Sequence, residues 1–229
     1  NKIKFLYCGG APLNEDVRDI YKKNNLELLN AYALTETASS FAISYPNNND
    51  SLSVGSIFED LDVKVINEEN GIGEIVCKGD AVFLGYTIDV KDVFTEDGYF
   101  RTGDIGVLDS RGYLYLKGRN KSMILGPSGQ NIYPEEIESG INNLPYVAES
   151  LVVDEKGQLV ALVYPDLDLI EKEGLSQEDV LEKIKEGINI VNMELPVFCQ
   201  VKNVELIPEE FEKTPKRSIK RYLYQRNNL

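Results

Sequence analysis

The 229-residue sequence contains no histidine. That absence excludes imidazole acid–base chemistry, hydrolysis by a Ser-His-Asp triad and most catalytic zinc sites. A Walker-type glycine loop ending in Gly-Lys-Ser/Thr is also missing. Any phosphate chemistry must therefore use carboxylates with magnesium, hydroxyls, backbone amides, and Lys or Arg. Cysteine is scarce: Cys8, Cys77 and Cys199 stand far apart with no paired spacing. They suit a reducing compartment, with Cys8 and Cys77 as core residues of apolar, strand-like runs. No apolar run approaches the ~20 residues needed to cross a bilayer. The first residues lack the apolar core and cleavage site of a signal peptide, and the expected location is cytoplasmic. Basic residues are outnumbered 24 to 38, giving a formal charge of −14. This argues against general nucleic-acid binding, which draws its affinity from cations on phosphates. The basic cluster Lys213, Lys216, Arg217, Lys220 and Arg221 reads, taken alone, as a solvated helix start. Sequons at Asn49 and Asn120 are chance matches in a cytoplasmic protein.

What remains is an ordinary globular composition, 42% hydrophobic and 27% charged, long enough for one large or two modest domains. The first forty residues read as strand, helix, strand, helix: Ile3–Cys8, a helix capped by Asn14 through Tyr21, Leu26–Leu29, and a second helix opening at Thr35-Glu-Thr37. This alternation predicts one edge of a mostly parallel α/β layer. From about Ser53 to Leu116, short β-rich runs alternate with turns at Asn70-Gly71, Asp97-Gly98 and Arg111-Gly112. They predict a small barrel or folded sheet. A boundary falls near Arg119–Ser122. Beyond it the sequence predicts an α+β module: a helix opened by Pro134, a hairpin about Lys156-Gly157, a helix over Ser176–Val191, a strand over Val201–Ile207 and a terminal helix after Ser218.

Three motifs follow one another in the second half of the first region and beyond: Tyr99-Phe-Arg-Thr-Gly-Asp104, Gly118-Arg-Asn-Lys121 and Asn131-Ile-Tyr-Pro-Glu-Glu-Ile-Glu138. Asp104 offers a carboxylate able to accept hydrogen bonds from both hydroxyls of a ribose, and Arg119 a planar cation for sugar or phosphate. Gly103-Asp104 alone also fits a surface turn. Upstream, Cys8-Gly-Gly-Ala-Pro-Leu13 places two glycines at a strand end, either as a simple turn or to let backbone approach a flat ligand. In Asn30-Ala-Tyr-Ala-Leu-Thr-Glu36, Tyr32 is either core or a stacking surface. Thr35 and Glu36 are either a helix start or groups for phosphate and a magnesium ion.

Taken together, from Gly9 to Arg221, these motifs resemble the C-terminal part of the acyl-adenylate-forming enzymes, most nearly the bacterial long-chain acyl-CoA synthetases. The resemblance implies ATP, magnesium, a fatty acid and coenzyme A, joined through an acyl-adenylate and then a thioester. It places Gly9, Gly10 and Ala11 beside adenine, Tyr32 on the base, Thr35 and Glu36 at phosphate and metal, and Asp104 and Arg119 on ribose and phosphate. Lys121 takes the hinge position before a mobile C-terminal lid, and the loop holding Gly126 and Gly129 enters the site for thioester formation. Glu135, Glu136 and Glu138 read chiefly as favourable charges in a first helical turn. The implied architecture is residues 1–120 as the end of a large AMP-binding domain and 121–229 as a small mobile domain. Because the family's phosphate loop and most of its acyl pocket are missing, the chain is expected to be part of an enzyme roughly twice as long or more, folded but inactive alone.

Two departures stand out. The family's Tyr-Gly-x-Thr-Glu has Ala33 in its glycine position. Its Thr-Pro-Thr-x-Lys-x-Lys-Arg is here Thr214-Pro-Lys-Arg-Ser-Ile-Lys-Arg221, so Ser218 stands where the adenylating lysine belongs. A hydroxyl cannot supply that charge. Lys216 and Lys220, two positions to either side, are the candidates to supply it, and Lys220 aligns with the second family lysine. Two other readings remain open: a ligase for aryl or amino acids that loads a carrier protein, or a non-catalytic nucleotide-binding relative.

Overall fold

The computed structural model describes residues 3–10, 13, 15–39, 41–46, 50, 52–215 and 217–226, with nothing given for the side chains of 15 and 16. Ala11, Asn14 and Lys216 therefore lie outside the described residues. The chain divides into two compact units, Asn1–Lys121 and Ser122–Leu229.

In the first unit β1 (Phe5–Gly9) leads through α1 (Glu15–Lys23) to β2 (Glu27–Tyr32), and the two strands pair in parallel. The short β3 (Ala42–Ile43) and β4 (Gly55–Ile57) follow, then β5 (Asp62–Glu69), β6 (Ile72–Lys78), β7 (Phe100–Leu108) and β8 (Tyr113–Arg119). All belong to one sheet in the order β1-β2-β3-β4-β8-β7-β6-β5. Its two edges are β1 and β5, so the sheet is open. The barrel offered as one possibility does not form, and the α/β edge and the β-rich run are a single folded sheet. The splice is β4, which pairs with β3 on one side and β8 on the other. Gly55 makes that close approach possible: its φ is +105°, and a Cβ there would stand 2.0 Å from the Ile43 carbonyl carbon. Phe41, Ala42, Ile75, Cys77, Phe100 and Leu114 form the core beneath. Burial pushes the Cys77 thiol up to about 12, leaving it protonated and inert at neutral pH.

Two local expectations fail here for identifiable reasons. Thr35–Thr37 is one 3-10 turn and not the start of a helix, because Ala38 and Ser39 follow at φ +50° and +63° and turn the chain into β3. Arg101-Thr-Gly-Asp104 lies inside β7, not in a surface turn. Arg101 pairs with Val76 and Ile105 with Glu74, so three residues, Thr102 to Asp104, oppose the single Ile75. This is a β-bulge, with Gly103 at φ +71°.

In the second unit the hairpin β9 (Ile124–Leu125) and β10 (Asn131–Ile132) precedes α2 (Pro134–Ile141). Then come β11 (Val147–Glu155), β12 (Gln158–Pro165), α3 (Leu167–Glu173), α4 (Gln177–Glu194) and β13 (Val201–Leu206). The sheet order is β11-β12-β13, antiparallel then parallel. Lys156 and Gly157 both have positive φ, +54° and +81°, as a tight hairpin turn requires. Ser176 caps α4 in a reciprocal capping box with Asp179.

Alternation along β11 and β12 sorts the core into two layers. Val152, Leu159, Ala161 and Val163 pack with Ile137, Ile141, Val180, Ile184 and Ile188 of the helices. Leu151, Val153, Val160 and Leu162 instead meet Phe211, Ile219 and Tyr224. The last residues therefore form a layer of their own over that second set. The expected terminal helix is only the 3-10 turn Arg221–Leu223. A bridge between Lys213 and Ile219, and Arg217 at φ +64°, fold the preceding residues into a tight loop instead. The short helix α3, capped by Asp166 and ended by Gly174 at φ +67°, was not anticipated.

Candidate active site

The bulge in β7 aims one carboxylate. Thr102 stitches it: its hydroxyl donates to the Ile75 carbonyl at 2.7 Å and accepts the Asp104 N–H at 3.0 Å. Asp104, only 6% exposed, is opposite Arg119 in the β7–β8 register, and Arg119 Nε lies 2.7 Å from its Oδ1. The Tyr32 hydroxyl donates to Oδ2 from the end of β2. Burial raises the Tyr32 phenol far above its usual range, reinforced by the Asp104 charge and hydrogen bond, so it stays a donor. Its ring packs on Phe41 at 4.9 Å between centroids. Asp104 is thus pinned from inside by a tyrosine and covered outside by an arginine whose side chain is 59% exposed.

Glu36 completes the cluster. Its Oε1 accepts the Tyr86 hydroxyl at 2.7 Å, and its carbonyl accepts the Phe83 N–H at 2.8 Å. Phe83 anchors that loop by edge-on contacts with Tyr86 at 4.7 Å and Phe100 at 5.1 Å. The Tyr86 phenol is pushed up by burial, then by its bond to Glu36 and the charge there, while the Arg119 charge opposes both. Arg119 likewise opposes the rise at Tyr32. One exposed cation therefore acts on two tyrosine–carboxylate pairs, and Tyr32, Glu36, Tyr86, Asp104 and Arg119 form one constellation. Thr35 lies exposed beside Glu36.

Gly9 and Gly10 close the β1 end. Gly9 is registered with Ala31, one residue before Tyr32. A Cβ on Gly9 would stand 2.6 Å from the Ala31 carbonyl oxygen, and Gly10 has φ +89°. Both glycines sit at the carboxyl ends of the parallel strands, where open α/β sheets bind ligands.

The second-unit candidates have separate surroundings. Gly129, at φ +84°, donates to the Gly126 carbonyl at 2.9 Å, and Gly126 donates to the Gln130 carbonyl at 2.8 Å. The loop is a hydrogen-bonded hairpin end. Lys220 Nζ lies 3.1 Å from Glu212 Oε2, which raises its pKa. Ser218 accepts the Thr214 N–H at 2.8 Å through its carbonyl. Lys121 sits in the 3-10 turn Asn120–Ser122, where the two units divide.

Two features escaped the sequence. Tyr86 carries no local signal linking it to Glu36, fifty positions away. Glu138 was read as a first-turn charge, but it is 6% exposed, accepts the Val152 N–H at 2.6 Å and pairs with Arg221. Its place on the face 134, 137, 138, 141 was the available signal, since that spacing marks the core side of a helix.

Glu36 is a carboxylate of this cluster that could hold a magnesium ion. One of its oxygens is fixed by Tyr86, and magnesium is commonly held by one or two carboxylates together with substrate phosphates. Among the described residues no three His, Cys, Asp or Glu gather as a complete protein site.

Residues 1–87 match the AMP-binding enzyme family, and residues 121–227 match the AMP-binding enzyme C-terminal domain. The chain belongs to this family of adenylate-forming enzymes. Asp104 and Arg119 fall between the two matched stretches. The long-chain-fatty-acid–CoA ligase FadD13 of Mycobacterium tuberculosis is 34% identical over 208 residues, 85% of this chain and 40% of that protein. The 2-succinylbenzoate–CoA ligase of Staphylococcus epidermidis is 32% identical over 189 residues, 79% of this chain and 39% of that one. The ATP-bound structure of MatB from Rhodopseudomonas palustris superposes with a TM-score of 0.75 at 28% identity, over 95% of this chain and 44% of that one. The chain thus matches about 40% of the length of these two ligases. Among the described residues, no helix is long and apolar enough to cross a membrane.

Proposed function

We propose that the chain works as part of an ATP-dependent acid–CoA ligase, with a long-chain fatty acid as the carboxylate that is activated. The observation that carries this reading is Asp104: a buried carboxylate on a bulge, backed by a tyrosine and faced by an exposed arginine. In this reading Asp104 receives the ribose hydroxyls. Arg119 moves from Asp104 to ribose or phosphate, which its exposure allows. Gly9 and Gly10 let the adenine approach backbone, and Tyr32 holds Asp104 from behind. Thr35 contacts phosphate. Glu36, held by Tyr86, would bind magnesium, whose chemistry is to neutralise phosphate charge. The substrate carboxylate attacks the α-phosphorus, pyrophosphate leaves, and the acyl-adenylate then yields the CoA thioester and AMP. The protein's part is positioning and charge stabilisation, with no side-chain nucleophile.

Lys121 is proposed as the hinge, Gly129 as part of the loop that serves thioester formation, and Lys220 as the cation standing in for the missing lysine. For that, Lys220 must leave Glu212, a solvent-screened surface pairing that holds it weakly. Lys216 is the other candidate. Similarity to a fatty-acid ligase and to a succinylbenzoate ligase supports an acid–CoA ligase more firmly than any one acid. A second reading, a nucleotide-binding relative that does not adenylate, draws on Ser218 and on the engagement of Lys220 by Glu212. The test is ATP–pyrophosphate exchange by the full-length protein with a panel of fatty, aryl and dicarboxylic acids. Exchange that depends on long-chain acids supports the proposal. ATP binding without exchange for any acid supports the second reading.

A further inference from the structure

The terminal residues 211–226 have little regular structure, yet they are fixed at several points. Phe211 is buried and stacks edge-on with Tyr224 at 5.1 Å over the face of β11 and β12. Lys213 reaches Glu149 of β11 at 2.9 Å, and Arg226 reaches Glu205 of β13 at 2.8 Å. Among these contacts one differs in kind. Arg221 pairs with Glu138, whose other oxygen accepts the Val152 N–H of edge strand β11. Arg221 Nε also lies 3.6 Å from Glu135 on the preceding turn of α2. The Lys213 and Arg226 pairs join partly exposed side chains, while Glu138 is buried on the core face of its helix.

A buried carboxylate needs a stated reason, because removing it from water is costly unless it is paired. The edge N–H takes one oxygen of that carboxyl and Arg221 the other, so both sides of the buried group are occupied. Arg221 follows Lys220 directly, and Lys220 donates its backbone N–H to the Glu212 carbonyl at 2.8 Å. The pair therefore fixes the second limb of the loop whose first limb begins at Lys213. From this geometry we infer that Glu138 is a positioning residue: through Arg221 it clamps the terminal loop to α2 and β11 and fixes where Ser218 and Lys220 stand. The planar guanidinium, bonded to Glu138 and ion-paired with Glu135 on the same helix, sets direction as well as distance. The consequence for catalysis rests on the proposed ligase function, in which this loop supplies the cation; the clamp itself does not.

The test uses the full-length protein with Glu138→Gln, Arg221→Gln and the double variant. Measured at pH 8, where the carboxyl is ionised, glutamine at 138 keeps an acceptor for Val152 and removes the charge that faces Arg221. Hydrogen exchange is expected to speed up about tenfold at the amides of 211–224 in each single variant, with α4 and β12 unchanged. The double variant should be no worse than either single one, because the two residues act as a unit. In ATP–pyrophosphate exchange, kcat should fall while KM for ATP holds. Acceleration spread over the whole second unit, or additive single effects, would overturn the clamp. A loosened loop with unchanged kcat would overturn the positioning role. If the wild-type protein shows no exchange with any acid, the ligase reading fails and hydrogen exchange alone decides the clamp.

Discussion

Asp104 in the first unit and Glu138 in the second are each 6% exposed, and each is paired with an arginine and with one further donor. Their partners separate them. Arg119 stands 59% exposed on a strand, so the carboxylate beneath it can be uncovered by a side-chain rotation. Arg221 has a side chain 23% exposed, bonds to Glu138 and is ion-paired with Glu135 on α2, so Glu138 is closed in. The donors differ as well: Asp104 is backed by a phenol whose proton burial retains, Glu138 by a backbone N–H. The same pair of groups is thus open to solvent where the cation is exposed and enclosed where it is packed, which suits the proposed ribose acceptor in one place and the proposed clamp in the other. The difference lies in packing around the arginine, not in residue type.

Substitutions can break that contrast. The largest effect is expected for Asp104→Ala, which removes the proposed ribose acceptor and leaves Tyr32 without its partner. ATP–pyrophosphate exchange should fall about 100-fold, or about 2.7 kcal/mol, while urea unfolding of the second unit stays unchanged. A loss of second-unit stability equal to that of Arg221→Met would erase the distinction. Arg221→Met should destabilise the second unit by about 2 kcal/mol at pH 8, read by urea denaturation. This is less than the full cost of an unpaired buried charge, because the carboxyl can take up a proton. Tyr86→Phe should cost about 1 kcal/mol in exchange activity, seen as a raised magnesium requirement. An unaltered magnesium profile would remove Tyr86 from the site.

The smallest effect concerns pH. Burial pushes Glu138 up to about 7, against the opposing pull of Arg221. A carboxyl raised on folding binds its proton more tightly in the native state than in the unfolded chain. Its contribution is therefore complete below the usual glutamate value and fades as pH rises towards 7. Second-unit stability in the wild type should fall across that interval, and Glu138→Gln should flatten the slope. A slope unchanged by the substitution would assign the effect to other groups.

Much of this was legible in the sequence. The turns at Asn70-Gly71 and Lys156-Gly157, Pro134 at a helix start and the apolar face of α4 are local signals that packing left intact. Asp104 and Arg119 could be paired by motif order, but the bulge that aims Asp104 could not. It depends on Thr102 bonding to Ile75, a contact across strands. The eight-stranded continuity was hidden because β3 and β4 are only two and three residues long. The terminal helix was overcalled because basic residues at helical spacing looked solvated, whereas Lys213, Lys220 and Arg221 all engage acids far away in sequence or across the loop. Long-range pairing of this kind leaves no periodic trace.

The most direct test of the central claim compares ATP with 3′-deoxyATP in acid-dependent pyrophosphate exchange by the full-length protein, wild type and Asp104→Asn. If Asp104 is the ribose acceptor, the wild type prefers ATP by at least about tenfold, since a site built for a hydroxyl rejects the analogue lacking it. That preference should collapse in the variant. Equal use of both nucleotides by the wild type, or a preference that survives Asp104→Asn, would contradict the account.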